Sequence, residues 1–404
     1  TLLVSLSRDC LWGGAAGGGW LCAGVPPPPP ARGGGGWGGV GGGGGGGPQF
    51  NQSLPDVFRL KASAPTRKDL TKALPSPTIS HLSPIPPGGN LAFRQQLPAP
   101  DLPSWIAKEV PFTRYCVEVG DGLRMHVMET GRGLPVLMVH GNPTWGFLYR
   151  KVAMCLQGQG LRLIMPDLIG FGLSDKPRDF SVHTIRNHSK WLGSLIDQLD
   201  LRDTVFVGQD WGGAIGLHPF TTREDRLGGM VVLNTVLDAP APGFKPTAFH
   251  RFSHMPLVSD LAFRVLPLPQ AVLHVAQGDK SSIRGNVARA YRYPFRHIRD
   301  RVAPLATARM AVDKMGHPSI PALEECAALA GSFDGPKAMV WGRRDPILAR
   351  ALKRTKALLQ DPPVTETQAG HFLQEEVPEE IAAAILDVSM RLGRASADAT
   401  QEQA

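Results

Sequence analysis

An α/β architecture is the fold class the sequence predicts: a mostly parallel central sheet flanked by helices, with a helical insertion. Three observations predict it. From about residue 135, short and almost wholly apolar runs alternate with helical patterns. Such runs suit strands buried on both faces, the condition of a parallel sheet. Between 238 and 335 this rhythm gives way to short helical patterns rich in Phe, Leu, His, Arg and Pro, after which a buried strand pattern returns. Finally, the apolar run 205–207 enters the Gly-flanked turn Gly208-Gln209-Asp210-Trp211-Gly212 and leaves it through small residues, a strand–turn–helix context.

The elements follow in order. "RYCVEVGDGLRMHVMETG" (114–131) alternates around Gly-Asp-Gly and predicts a hairpin. "PVLMVHG" (135–141) is a buried strand, and "LRLIMPDLIGFGLSDKP" (161–177) a strand with a Gly-rich loop. "VHTIRNHSKWLGSLIDQLDL" (182–201) spaces Ile185, Trp191, Leu192, Leu195, Ile196 and Leu199 as one helical face. The elbow strand, a helix over 212–217 and the strand "GMVVLNTV" (229–236) come next. After the insertion, "PKAMVWG" (336–342) is a strand, 348–359 a helix and "PVTETQAGHF" (363–372) a last strand. Pro378 opens a closing helix that Gly393 is expected to end. The expected division is an α/β core over 105–237 and 336–394, a helical cap over 238–335, and a disordered C-terminus over 395–404.

Residues 1–104 are expected to stand apart as a low-complexity tail. The first 50 residues hold 19 of the 47 glycines, with an unbroken run from Gly41 to Gly47 and five prolines from Pro26 to Pro30. Such a stretch buries too little apolar surface to offset its ordering entropy. "VFRLKASAPTRKDLTKALPSPTISHLS" (57–83) is rich in Ser, Thr, Lys and Arg with one acid, and reads equally as an organellar transit segment or as a disordered tail. The compartment expected is cytoplasmic or organellar. Half of the net charge of +8 comes from residues 1–110, so the folded part is mildly basic and nucleic-acid binding is not expected. Five cysteines without a C-x-x-C predict neither a disulfide framework nor a zinc site. No run of 18 apolar residues predicts a transmembrane helix. Oligomeric state is not legible.

Four positions carry chemistry. Asp210 takes the apex where the familiar G-x-S-x-G turn has serine; the plain alternative is a surface turn or helix cap. His371 in "AGHFLQEE" follows the last strand, where the base of a nucleophile–acid–histidine order belongs. Asp345 in "VWGRRDP" lies in a loop opening on the same sheet edge; alternatively it only caps a helix. The other candidate place for an acid, after "GMVVLN", holds Asn234, an amide. Asn142 in "HGNPTW" follows a buried strand, where a backbone N–H normally supplies half of an oxyanion hole and the residue after the nucleophile, Trp211, the rest. The side chains of Asn142 and Trp211 are two neutral N–H donors suited to a soft monovalent anion, although Trp211 also suits plain core packing.

Together "HGNPTW", "DLIGFGLSDKP", "GQDWGGAIGLH", "WGRRDP" and "GHFLQEE", in this order across about 135–376, resemble the haloalkane dehalogenases of the α/β-hydrolase superfamily. The pairing of "HGNP" with "QDWGG" is the specific part; "DLIGFGLSDKP" is common to many α/β-hydrolases. The resemblance implies the α/β-hydrolase fold, with Asp210 as nucleophile, His371 as base, Asp345 as supporting acid, and Asn142 and Trp211 as the halide-binding pair. It implies a small apolar halogenated substrate, water and a halide ion as the molecules handled, and no cofactor or metal. A version with a second tryptophan from the cap does not apply, because residues 240–335 contain none. A version with glutamate after the earlier strand does not apply either, because Asn234 stands there.

The residue types suit the reaction. A carboxylate, with a reference pKa near ~4, is already ionised and attacks saturated carbon without a base. Halide leaves without a proton but needs its charge met where water is excluded. The resulting ester of Asp210 is hydrolysed by water that His371 deprotonates. An epoxide hydrolase would use the same Asp–His–Asp set, but it needs acids for an alkoxide, usually two cap tyrosines, and the cap offers Tyr291 and Tyr293 in "YRYPF". A luciferase-like oxygenase on this scaffold would be expected to carry an acid near Asn234. A non-catalytic binding module usually lacks a member of the set. The apolar cap residues Phe249, Phe252, Leu261 and Leu266 are candidates for a pocket lining.

Overall fold

The computed structural model describes the backbone of residues 96–402 and the side chains of residues 96–393. The Gly/Pro-rich run and the transit-like segment lie outside the described residues. The strands are β1 (Leu97–Pro98), β2 (Thr113–Glu118), β3 (Arg124–Gly131), β4 (Leu134–Val139), β5 (Leu161–Pro166), β6 (Thr204–Gln209), β7 (Leu227–Leu233), β8 (Lys337–Gly342) and β9 (Val364–Thr367). They form one sheet in the order β1-β2-β3-β5-β4-β6-β7-β8-β9. The β1–β2, β2–β3 and β3–β5 pairs are antiparallel and the remaining pairs parallel.

Side-chain alternation explains why the parallel strands read as continuous apolar runs. Leu137, Val139, Phe206, Met230 and Val232 enter one core cluster, on one face of the sheet. Their neighbours Val136, Met138, Val205, Val207, Val231 and Leu233 enter another, on the opposite face. A strand buried on both faces is therefore apolar along most of its length, with a polar side chain such as Gln209 at its end where a partner is in reach.

Helices flank the sheet on both faces. They are α1 (Arg150–Cys155), α2 (Ile185–Gln198), α3 (Trp211–Leu217), α7 (Ile320–Ser332) and α9 (Pro378–Glu402), with α8 (Leu352–Leu358) between β8 and β9. Thr184 starts α2 by accepting the Asn187 N–H at 3.1 Å, the usual N-cap bond. The insertion contributes α4 (Ala248–Ser253), α5 (Gly285–Arg292) and α6 (Val302–Arg309), joined by single turns. It has a small core of its own, Ala262, Phe263, Leu305 and Ala308, against which Phe252 packs. No described helix is long and apolar enough to cross a membrane.

Several expectations need correction. Residues 97–98, placed in the tail, form β1 and pair with Tyr115 and Cys116. Helix α7 lies within the stretch read as cap, yet Ala322, Leu323, Cys326, Leu329 and Ala330 present an apolar stripe to the core cluster shared with the sheet. The cap is therefore narrower than 238–335. Gly393 does not end the last helix, and residues 395–402, expected to be disordered, continue it to Glu402. A stop at glycine needs left-handed backbone, which Gly393 does not adopt, and the alanines that follow favour helix. Of the four proposed pocket-lining residues, Phe249, Leu261 and Leu266 are exposed, and only Phe252 packs against the small core of the insertion.

Candidate active site

The parallel register aligns strand ends. Gly208 is level with Val139 and Val232, and Leu233 with Gln209 and Val340. The residues just after β4, β6, β7 and β8 therefore emerge along one edge, and they are Asn142, Asp210, Asn234 and Asp345. Ligands of open α/β sheets bind at such carboxyl ends.

Asp210 sits at the elbow with φ +52°, a left-handed conformation that non-glycine residues adopt only when the surroundings enforce it. The enforcement is visible. Its N–H donates to the Asn234 carbonyl at 3.0 Å, and its carbonyl accepts the Thr235 hydroxyl at 2.6 Å and the Gly213 N–H at 3.0 Å. Helix α3 packs so close to β4 that a Cβ at Gly212 would overlap the Val139 carbonyl, and one at Gly141 would overlap the Asp210 side chain itself. The glycines of "HGN" and "DWGG" are thus required by close approach.

The Asp210 carboxylate is held asymmetrically. Oδ1 accepts the backbone N–H of Asn142 at 2.9 Å, and the Trp211 N–H also donates to the carboxylate. Oδ2 faces His371 Nε2 at 3.6 Å. Burial raises the Asp210 pKa; the charge of His371 and the two N–H donors oppose it without cancelling it.

His371 is almost fully buried, and its Nδ1 lies 2.9 Å from Asp345 Oδ2. Burial alone would lower its pKa. The charge and hydrogen bond of Asp345, with the charge of Asp210, outweigh burial and raise it. Asp345 is buried with all its bonds made: Oδ2 also accepts the Asn234 amide at 2.7 Å, and Oδ1 accepts the N–H groups of Ile347 and Leu348 at 2.7 and 3.1 Å. Burial pushes its pKa up, but His371, Asn234 and Ile347 more than compensate and keep the carboxyl below its ordinary value.

All five sequence-predicted residues lie at this edge, and the Asn142 side-chain amide already has one partner. The Asn142 side-chain amide donates to the Pro304 carbonyl of α6 at 3.1 Å, which ties the site to the cap. An amide NH₂ has two donors, so one proton remains. Trp211 is half-buried, and its indole N–H has no partner among the described residues.

Sequence reasoning missed the supports. The sequence shows Asn234 only as an amide where an acid could stand; in the structure it donates to Asp345 at 2.7 Å and accepts the Gly342 N–H at 2.7 Å. The signal was available, since Asn234 ends a neighbouring strand at the same edge. Gln209 donates to the His371 carbonyl at 3.0 Å. Ala276 and Gln277 grip the same loop: the Ala276 carbonyl accepts the His371 N–H at 2.8 Å, and the Gln277 amide bonds both the N–H and the carbonyl of Phe372. No local pattern announces these contacts.

Comparison with known proteins gives the fold and the family. The family profile of the α/β-hydrolase fold matches residues 135–257. A haloalkane dehalogenase of Mycolicibacterium paratuberculosis is 33% identical over 270 residues, covering 65% of this chain and 87% of that protein. One of Mycobacterium marinum is 32% identical over 289 residues, covering 68% of this chain and 93% of that protein. The crystal structure of haloalkane dehalogenase DatA from Agrobacterium tumefaciens superposes with a TM-score of 0.61 at 27% identity, covering 69% of this chain and 97% of that one.

Proposed function

The chain belongs to the haloalkane dehalogenase family and is a hydrolase of carbon–halogen bonds, and from that premise we propose that Asp210, His371 and Asp345 turn halogenated aliphatic compounds into an alcohol and a halide ion. The observation that carries the assignment of roles is the asymmetric Asp210 carboxylate. Oδ1 takes the Asn142 backbone N–H, and Oδ2 is the oxygen that faces His371.

Oδ2 attacks the halogen-bearing carbon, an O–C bond forms, and the halide departs with the bonding pair. The Trp211 indole N–H and the second amide proton of Asn142 receive it. In the next step His371 Nε2 takes a proton from water as the water oxygen adds to Asp210 Cγ. The negative charge grows on Oδ1, where the Asn142 N–H already points, with the Trp211 N–H on the same carboxylate. Collapse expels the alkoxide, which takes the proton from His371, and Asp210 is left as an acid that ionises. Asp345 fixes the tautomer of His371 and stabilises its charged form. Esterification removes the Asp210 charge that helps hold a proton on His371. The base therefore becomes more available once the ester has formed.

Epoxide hydrolysis is the second reading, and the placement of its required acids counts against it. Tyr291 is fully buried with its hydroxyl on Glu375 at 2.6 Å, and burial pushes its pKa far up. Tyr293 packs edge-on against Trp105. Incubation with a bromoalkane and, separately, an epoxide tests the choice: bromide release is expected, and diol without bromide would overturn it. A single turnover in ¹⁸O-water is expected to place the label in Asp210 and leave the first alcohol unlabelled; label in that alcohol would remove Asp210 as nucleophile.

A further inference from the structure

We propose that His254, Asp313, His317 and the main-chain carbonyl of Arg309 form a binding site for one divalent transition-metal ion of the zinc class in the cap. Among the described residues, these side chains are the one group of three His, Cys, Asp or Glu whose donor atoms lie within 4.8 Å of one another. Nε2 of His254 and Nε2 of His317 each lie 3.1 Å from the Arg309 oxygen, and the Asp313 carboxylate lies 4.0 Å from His254 Nε2. A tetrahedron of donors about 2.0–2.2 Å from a zinc ion has edges near ~3.4 Å, so a modest closure completes it.

Three further observations point to a cation. Both ring nitrogens of His254 face carbonyl oxygens, His250 O on Nδ1 at 2.9 Å and Arg309 O on Nε2. A neutral imidazole has one proton and serves one of them. The Nδ1–H to backbone carbonyl bond is the arrangement that orients metal-ligating histidines, and it leaves the Nε2 lone pair for an ion. Secondly, Asp313 Oδ1 is buried with no hydrogen-bond partner, so this side chain has unused acceptor capacity. Thirdly, Arg309 ends α6, so its carbonyl belongs to the negative pole of the helix. The Arg309 guanidinium is turned away, onto Ser253, Ser259 and Asp260.

Two nitrogens and two oxygens suit zinc, nickel or copper better than calcium or magnesium. His254 and Asp313 are each about one-quarter exposed, which gives an ion a way in. Binding has one local cost. His317 Nδ1 accepts the Ser319 N–H at 3.1 Å, and both this bond and the Nε2–H bond to the Arg309 carbonyl are given up when the proton on Nε2 moves to Nδ1 to free Nε2 for the metal. A bound ion would clamp α4 and the 310–319 turn to the end of α6, the helix whose Pro304 carbonyl holds Asn142.

The test uses the full chain without a histidine tag, stripped with chelator and titrated with Zn²⁺ in a calorimeter. One ion per chain is expected, weakened at least ~10-fold by His254→Asn and by Asp313→Asn. Co²⁺ added to the unaltered chain is expected to give the intense visible bands of a tetrahedral site, a readout independent of how any variant folds. No zinc uptake, equal uptake by the variants, or an octahedral Co²⁺ spectrum would overturn the proposal.

Discussion

The sheet edge and the cap are built by opposite rules. At the edge each candidate residue hangs from a strand buried on both faces and is held by several bonds: four on the Asp345 carboxylate, three on the Asp210 backbone. In the cap, α4 and α5 bury only a few residues each while α6 is buried nearly all round, and between them large apolar side chains such as Leu257, at 83% relative exposure, face outward. The difference teaches where precision is needed. Attack at carbon and proton transfer demand atoms fixed to a fraction of an ångström, and interlocked strand ends supply that. A cover over the site needs only to touch it at selected points, here Pro304 on Asn142 and Ala276–Gln277 on the histidine loop.

Substitutions at the two regions put this contrast at risk. The largest effect is expected at Asp210: Asp210→Ala should cut bromide release from a bromoalkane by about 10⁴-fold or more. His371→Phe should be comparably damaging in steady state yet leave the first step intact. One halide per chain should be released in a burst, with the alkyl group's mass added to Asp210 by mass spectrometry. An unmodified mass would separate His371 from the hydrolysis step. Asp345→Asn should cost about 10²–10⁴-fold in kcat, because an amide neither fixes the tautomer nor balances the charge. Asn234→Ala removes one of the bonds to Asp345 and should cost roughly tenfold, equivalent to ~1.4 kcal/mol.

The smallest effects are expected in the cap. Leu257→Ser should change stability by no more than ~0.5 kcal/mol, whereas Leu233→Ala, fully buried at the end of β7, should cost about 2–5 kcal/mol in denaturant unfolding. Equal losses at the two positions would erase the contrast.

pH sharpens it further. The proposed base, His371, acts when neutral, so kcat should rise as pH rises through its titration. Asp210 contributes to the raised pKa of His371 in the free enzyme, and its charge is absent from the ester. Where hydrolysis limits turnover, the acid limb of kcat should therefore lie below the His371 pKa measured by NMR in the free protein. Coincident values would mean that the Asp210 charge does not couple to the base.

Much of the site was legible because its signals are local. A strand, a tight turn and small residues identify an elbow within twelve positions, and a histidine after the last strand identifies its partner by order. Asp345 was legible as the carboxylate in a strand-end loop. Asn234 was misread because its role is relational: an amide that could not replace the acid is well suited to donate to it. Gln209 and Gln277 were invisible for a similar reason, since their partners are main-chain atoms of a loop more than 90 residues away in each case. The end of α9 was misplaced because glycine marks a stop only when the backbone turns left-handed there.

By itself the sequence determined the alternation of buried strands and helices, the apex carboxylate and the order of its partners, because periodicity and turn chemistry are properties of neighbouring residues. Tertiary structure alone decided which Asp210 oxygen takes the Asn142 N–H and which faces His371, that Asn142 is shared with the cap, that Asn234 serves Asp345, and that His254 meets His317 across 62 intervening residues. Each of these depends on strand register and on the packing of distant segments. Those distances are set when the sheet closes its two faces, and no window along the chain contains them.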